Sequence, residues 1–303
     1  MITRKFASFI RLSRPIFLVG GIVMYALGAL VARYEGFTIE LPLYVLGQIA
    51  VTSTQLMGHY LNEYWDVEGD RINPNRTFFT GGSGVIPAGE ISRRTAFLAA
   101  LVCLFVGSAA MLGLSIWFGA RATSMMIFAL GLVGIWSYSG PPVRLSGTGF
   151  GELVVALMVS LLVPSLGYQL QTGHFGYLVV LAAAPLIAIN WTMLIIFEFP
   201  DIEADRTVGK YNLVVRLGYR RAQYLVIAIM MSGFGLLAFL SLLGLPRLAV
   251  LGLLPFPLAL PITILVRRVV GGRSVRYFWL TFGGVALFAL TALLETLGIF
   301  LSA

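Results

Sequence analysis

The chain has 303 residues, of which 58% are hydrophobic and only 11% are charged. Soluble domains usually carry about a quarter charged residues, so this composition excludes an ordinary water-soluble protein. The single cysteine, Cys103, excludes an intramolecular disulfide. The net charge of +8 would allow nucleic-acid binding, which the positions of the basic residues decide.

Apolar runs of about 20 residues, long enough to cross a bilayer, recur along the whole chain. They predict nine transmembrane helices, near residues 16–33, 41–61, 95–116, 122–139, 150–171, 177–199, 222–243, 248–267 and 278–301. Gly167 and Pro185 are expected to interrupt the fifth and sixth spans, and the basic, mildly apolar first 15 residues predict an interfacial helix. We therefore predict an all-α polytopic membrane protein in which residues 1–303 form a single domain.

The basic residues indicate how the chain is oriented. If the N-terminus is cytoplasmic, all but three of the 21 Lys and Arg residues lie on the cytoplasmic side, the exceptions being Arg33, Arg121 and Arg247. This bias is the positive-inside pattern of membrane proteins. It predicts a cell-membrane protein with its C-terminus outside. The cations are expected to meet anionic lipid and not nucleic acid. The functional cytoplasmic loops are expected at about 62–94, 140–149 and 200–221.

An acidic pattern occurs twice. Residues 63–71 read E-Y-W-D-V-E-G-D-R, and residues 198–206 read E-F-P-D-I-E-A-D-R. Each copy follows a predicted span and precedes a polar loop, which predicts a bundle built from two related helical modules with equivalent acidic ends around one cavity. We call residues 62–70 the first acidic motif and residues 198–205 the second acidic motif.

Within each motif, two aspartates are spaced four residues apart and so share one helical face. Like charges at that spacing repel each other, and acids at a helix C-terminus oppose its dipole, so a bound cation is the natural compensation. Oxygen ligands of this kind suit Mg²⁺. The predicted metal ligands are Asn62, Asp66, Asp70, Asp201 and Asp205. The alternative is a solvated acidic turn at each helix end.

These motifs resemble those of the UbiA superfamily of intramembrane prenyltransferases. The segment N-E-Y-W-D-V-E-G-D (62–70) is similar to their NDxxDxxxD motif, with Glu63 where Asp is usual, and D-I-E-A-D-R-T-V-G-K (201–210) is similar to their second DxxxD motif. The Arg14-Pro15 pair, Tyr138-Ser139 before a loop with Arg144, and the nine-span plan also match. Two runs, 79–87 and 209–218, look most like 1,4-dihydroxy-2-naphthoate polyprenyltransferases of menaquinone synthesis.

The resemblance implies a reaction in which an allylic polyprenyl diphosphate loses diphosphate and the allylic cation alkylates an aromatic acceptor, in quinone biosynthesis. Two Mg²⁺ ions on the facing motifs would stabilise the leaving diphosphate. Other acceptors handled by relatives are 4-hydroxybenzoate, homogentisate, a chlorin, a haem or a glycerol-phosphate lipid. The implied catalytic residues are Asp66, Asp70, Asp201, Asp205 and Tyr138.

Basic donors should reach the diphosphate, and the candidates, in order, are Arg144, Lys210, Arg76 and Arg71. The alternative is that these cations only set the orientation. Tyr138 could bond a phosphate oxygen, face the allylic cation, or be an interfacial tyrosine. We expect the Gly81–Gly84 loop to be a hinge or lid in preference to a phosphate cradle. Acceptor or cavity candidates are Gln55, His59 and Asn190, with hydrogen bonding between helices as the alternative.

Two other classes compete with the enzyme. A secondary transporter can also contain repeats and broken helices, but its site lies near the bilayer midplane, whereas these acids lie at span ends and no charged residue is expected near a midplane. A non-catalytic lipid-binding or scaffold protein offers no reason for two matched aspartate pairs. Acceptor identity, tail length and oligomeric state do not follow from the sequence.

Overall fold

The computed structural model of the protein describes residues 2–271 and 275–303, with side chains described from residue 5 onward. Within these residues the chain is helical and contains no strand. Arg273, one of the predicted cytoplasmic cations, lies outside them. The α-helices are α1 Ile2–Ser13, α2 Pro15–Tyr34, α3 Leu41–Trp65, α4 Val67–Ile72, α5 Arg93–Phe118, α6 Ala122–Ser139, α7 Gly151–Leu157, α8 Val163–Thr172, α9 Tyr177–Phe197, α10 Ile202–Thr207, α11 Leu213–Leu243, α12 Ala259–Val270 and α13 Tyr277–Ser302.

Eight helical segments among the described residues are long and apolar enough to cross a membrane. They coincide with eight of the nine predicted spans, so the all-helical membrane fold is confirmed. The remaining predicted span, 41–61, lies in the 25-residue helix α3, which is long enough but carries polar residues such as Gln48, Gln55 and His59. The count of nine and the sides of the two termini therefore stay predictions.

The expected interruptions lie elsewhere. A π-helical segment, Met158–Leu162, joins α7 to α8, whereas α8 runs through Gly167 and α9 runs through Pro185. The predicted breaks at these two residues were wrong. Gly167 instead lets α8 approach α2, because a Cβ there would collide with the backbone carbonyl of Tyr25. Small residues at close helix contacts are typical of membrane bundles, where van der Waals packing drives association.

The helices form one bundle in which α2 packs on α8, α3 on α5, and α9 on α11 and α13. Large apolar side chains remain on the outside, as at Leu242, which is 85% exposed. Such a surface suits a surrounding lipid phase and not water. The short helices α4 and α10 follow the long helices α3 and α9 and pack against each other at one end of the bundle.

Candidate active site

The two acidic motifs meet at the end of the bundle where α4 contacts α10. Asp66 lies at the junction of α3 and α4, and its backbone N–H still donates to the carbonyl of Asn62 at 2.9 Å. Asp201 precedes α10 in the same way. Asn73 joins the two motifs directly, because its Nδ2 donates to Asp201 Oδ1 at 2.6 Å. The predicted convergence of the two acidic ends is thus present in the fold.

Lys210 lies between the motifs. Its Nζ is 3.2 Å from Asp66 Oδ2 and 3.6 Å from Asp205 Oδ1, so one ammonium group bonds a carboxylate of each motif. Asn62 Nδ2 donates to the same Asp66 oxygen at 2.8 Å and approaches Ser139 Oγ at 3.4 Å. The sequence predicted Lys210 as a phosphate donor but not this contact with the acids.

The Gly81–Gly84 loop packs over the first motif. Gly82 has φ +67°, and a Cβ there would collide with the Asp70 carboxylate. Gly84 has φ +74°, and a Cβ there would collide with the guanidinium of Arg76. Only glycine combines this backbone conformation with such close approach. The loop therefore packs against site residues, and its role as a hinge or lid, or as a phosphate cradle, stays a prediction.

The second motif is held by Asn212, which is completely buried. Its Nδ2 donates to Asp205 Oδ2 at 2.7 Å and also to Glu198 Oε2. Its Oδ1 accepts from the backbone N–H of Val215 at 2.9 Å, which caps the N-terminus of α11. One side chain thus links the end of α9, helix α10 and the start of α11.

Burial and crowding change the ionisation of these groups. Burial, and then the neighbouring carboxylates of Asp66 and Glu63, raise the pKa of Asp70 to about 8. Burial and Asp205 raise the pKa of Asp201 to about 7. Burial alone would lower the pKa of Lys210, but the surrounding carboxylates, Asp66 first, raise it well above its usual value. The site holds more negative charge than its own cations neutralise, which favours an added cation.

The donor set fits a hard divalent cation. Among the described residues, no three His, Cys, Asp or Glu side chains are placed to hold a metal ion by themselves. Mg²⁺ characteristically takes only one or two carboxylates and completes its shell with water and substrate phosphates. The carboxylates of Asp66, Asp201 and Asp205 suit that mode of binding, and Asn62, whose Nδ2 donates to Asp66, has its Oδ1 as a further oxygen ligand.

The other predicted diphosphate donors are dispersed. Arg144 is exposed and adopts a left-handed backbone conformation with φ +47°, and its guanidinium carbon lies 5.9 Å from the centre of the Trp65 ring. That contact places it beside the end of α3. Arg76 lies under the glycine loop, whereas Arg71 pairs with Glu68 at 3.4 Å and both of those side chains are more than half exposed.

The predicted cavity residues make contacts between elements. Gln55 Nε2 donates to the Phe17 carbonyl at 2.7 Å, and His59 Nδ1 lies 2.9 Å from the Ser13 carbonyl oxygen. Asn190 Nδ2 donates to Ser160 Oγ at 3.0 Å, within the π-helical segment. Each contact is a hydrogen bond to a neighbouring element, which is the alternative to acceptor binding for these residues. Tyr138 lies at the end of α6, one residue before Ser139, whose Oγ is 3.4 Å from Asn62 Nδ2.

Several residues at the site were missed as contacts by the sequence reasoning: Asn73, Ser83, Glu152, Asn212 and the donor role of Arg14. Arg14 Nη2 donates to the Phe79 carbonyl at 2.5 Å, beside the glycine loop. The available signals were their position, inside a predicted functional loop or at a span end, and, for Arg14, the Arg14-Pro15 pair. Glu295 is a further buried acid, inside α13, and the expectation that no charged residue lies near a midplane stays a prediction.

Known proteins share this architecture. A model of the UbiA prenyltransferase family matches residues 21–283. The chain is 30% identical over 237 residues to digeranylgeranylglyceryl phosphate synthase of Pyrococcus abyssi, covering 77% of this chain and 76% of that protein. It is 29% identical over 233 residues to 1,4-dihydroxy-2-naphthoate octaprenyltransferase of Mycobacterium tuberculosis, covering 75% of each.

The fold also matches a UbiA homologue from Archaeoglobus fulgidus, solved bound to GPP and Mg²⁺, with a TM-score of 0.66 at 19% identity over 97% of this chain and 99% of that one. Two acidic motifs meet at one end of an all-helical membrane bundle, and the family model spans most of the chain. The protein therefore belongs to the UbiA prenyltransferase family and is an intramembrane prenyltransferase.

Proposed function

We propose that the protein transfers a polyprenyl group from an allylic polyprenyl diphosphate to an aromatic acceptor in the membrane, in quinone biosynthesis of the menaquinone type. The observation that carries this proposal is the meeting of the two acidic motifs across Lys210. A site with excess carboxylate and a bridging ammonium is suited to a diphosphate that arrives with divalent cations. The Archaeoglobus fulgidus homologue with GPP and Mg²⁺ supports the same substrate class.

In this proposal Asn62, Asp66 and Asp70 hold one Mg²⁺, and Asp201 and Asp205 hold a second. The metal supplies concentrated positive charge for the departing diphosphate. Asn73 and Asn212 keep the carboxylates of the second motif in place through the hydrogen bonds described above. Carboxylates held in place in this way need little reorganisation during the reaction.

Lys210, Arg144 and Arg76 bind the diphosphate oxygens, with Arg71 farther out. Lys210 has the strongest support, since it is already at the centre of the acids. Tyr138, at the end of α6, bonds a phosphate oxygen or faces the allylic cation. The apolar interior of the bundle keeps water away from the allylic cation, which would otherwise be captured by water to give the prenyl alcohol.

The similar proteins act on different acceptors, as their names show. Similarity to the naphthoate octaprenyltransferase, and the loop runs 79–87 and 209–218, favour a naphthoate. The digeranylgeranylglyceryl phosphate synthase, at 30% identity, favours a second candidate function, transfer to a glycerol-phosphate lipid. Family membership favours either enzyme over the transporter and scaffold hypotheses.

Residues 1–303 form one catalytic domain in the cytoplasmic membrane, with nine spans and the acidic site facing the cytoplasm. Cysteine labelling tests this orientation, because Cys103 is the only thiol to remove. In a Cys103→Ser background, a cysteine replacing Asn75 should react from the cytoplasm and one replacing Gly173 from outside. The reverse pattern would contradict the orientation.

The test of function is transfer by purified protein in lipid nanodiscs, with prenyl diphosphates of several lengths, Mg²⁺ and a panel of acceptors, read by mass spectrometry. We expect a prenylated naphthoate, no product in EDTA, and recovery when Mg²⁺ is returned. Product with only a glycerol-phosphate acceptor would select the second candidate. Full turnover in EDTA would contradict the metal assignment.

A further inference from the structure

Two buried glutamates occupy the same place in the repeat. Glu63 stands three residues before Asp66, and Glu198 stands three residues before Asp201. Their exposed fractions are only 1% and 8%. The next glutamates of the two motifs, Glu68 and Glu203, are exposed by contrast. Burial of one glutamate per motif requires hydrogen-bond partners, which the fold supplies in an equivalent way.

Glu63 bonds the loop that follows the first motif. Its Oε1 accepts from the backbone N–H of Ser83 at 2.5 Å, and its Oε2 accepts from Ser83 Oγ at 2.7 Å. Ser83 stands between the two glycines that approach Asp70 and Arg76 most closely. Both oxygens of Glu63 are therefore engaged in fixing the loop that covers Asp70.

Glu198 bonds the segment that follows the second motif. Its Oε2 accepts from Asn212 Nδ2, and the same amide group donates to Asp205 Oδ2 at 2.7 Å. Asn212 also caps α11, so this contact fixes the path of the chain that carries Lys210. Glu198 thus holds the second loop as Glu63 holds the first.

We propose that Glu63 and Glu198 are equivalent positioning residues, each fastening the loop after its own motif so that Asp70, or Asp205 with Lys210, is held in the site. This inference rests on the proposed function only for its consequence, because the fastening itself is independent of substrate. It also gives a role to Glu63, where the family motif usually has Asp. The extra methylene lengthens the reach of the carboxylate toward Ser83.

Hydrogen exchange resolved by peptide, on the full chain in nanodiscs without metal or substrate, tests the proposal. Glu63→Gln should raise exchange in residues 79–86 and leave exchange in 207–215 unchanged. Glu198→Gln should raise exchange in 207–215 and leave exchange in 79–86 unchanged. Losing a charge-assisted hydrogen bond predicts roughly 10- to 150-fold faster local opening. The matched controls Glu68→Gln and Glu203→Gln, at exposed positions of the same repeat, should change neither loop.

A double-mutant cycle separates fastening from metal binding. The cycle measures the free energy of local opening of residues 79–86, from hydrogen exchange. If Glu63 acts through Ser83, the double variant Glu63→Gln/Ser83→Ala should destabilise the loop less than the sum of the two single variants. Ser83→Ala is also the milder variant if Glu63→Gln fails to fold. Mn²⁺ binding followed by electron paramagnetic resonance should weaken about tenfold in Glu63→Gln, as expected when Asp70 is displaced by loss of one contact.

Two outcomes would overturn the proposal: unchanged loop exchange in both Gln variants, or an additive cycle. Weaker Mn²⁺ binding without faster loop exchange would make the glutamates metal ligands and not loop anchors. Failure of the proposed function would appear elsewhere, as absence of prenyl transfer by the wild-type protein, and would leave the exchange result standing.

Discussion

The bundle buries acidic side chains in two very different settings. At its site end, the acids of the two motifs are crowded but have donors, such as Lys210 between Asp66 and Asp205. Glu295, in α13, is completely buried, and neither of its carboxyl oxygens has a hydrogen-bond partner among the described residues. In the proposed function, the partnered acids at the span end hold the cation and the charged substrate. A lone acid inside a span instead lowers the stability of the fold, because no donor compensates its burial.

The strongest way to break the site end is to remove one aspartate from each motif. Asp66→Ala and Asp201→Ala should each lower kcat/KM at least 100-fold, since charge stabilisation of a leaving group is a large catalytic contribution. The double variant should be little worse, because groups acting on one transition state are not additive. Turnover per folded molecule measures this, and two modest, multiplicative losses would indicate independent structural roles.

Lys210→Gln removes the cation that joins the motifs. We expect kcat/KM for prenyl diphosphate to fall about 10- to 150-fold, the usual range for losing a charge-assisted phosphate contact, while the KM of the acceptor changes little. The variant also leaves Asp66 and Asp205 facing each other without their shared ammonium. Thermal unfolding should therefore occur at lower temperature without Mg²⁺, and Mg²⁺ should recover part of that loss. Wild-type kinetics would remove Lys210 from the site.

Arg144→Gln should have a smaller effect, because Arg144 is exposed and stacks beside the site on Trp65. We expect up to about a tenfold rise in the KM for prenyl diphosphate. Arg144→Lys should recover only part, since Lys lacks the bidentate geometry of the guanidinium. If the residue only sets orientation, less protein will insert, yet each inserted molecule will turn over normally.

The metal-free protein should lose stability as the pH rises. Asp70 and Asp201 titrate near 8 and 7 in the fold but near their ordinary value of 3.8 when unfolded. Between these values the folded state binds more protons, so its stability falls as pH rises. Thermal unfolding in EDTA should shift to lower temperature from pH 6 to pH 9. Asp70→Asn should flatten that dependence; an identical profile would exclude Asp70 as its source.

The sequence predicted the spans because each needs only a local apolar run, and it predicted the two motifs because each acidic pattern is contiguous. It did not predict their supports. Ser83 lies 20 residues beyond Glu63, and Asn73 bonds Asp201 from the other half of the chain. Nothing local encodes such pairs, since they depend on how α4 and α10 are packed. The roles of the site residues stay predictions until the variants are measured.

Glu295 is the opposite case to the site acids, because its removal should stabilise the protein. It lies about 8 Å past the midpoint of α13, at a rise of about 1.5 Å per residue, away from the α4–α10 contact. Its Cβ is 3.0 Å from where a Cβ on Gly252 would stand, so the side chain is enclosed by the segment before α12. A carboxyl group without a partner in such a place costs about 1–3 kcal/mol.

Glu295→Met keeps most of the volume and removes both unpaired oxygens. We expect unfolding at a higher temperature and prenyl transfer within about twofold of wild type, since surface and core changes away from a site act mainly on stability. Glu295→Gln is the matched control, because it keeps the polar atoms and should gain less stability. If Glu295→Met instead folds normally but loses prenyl transfer, the lone acid is functional. The two buried settings would then differ in what their acids do in the reaction, and not in how much they destabilise the fold.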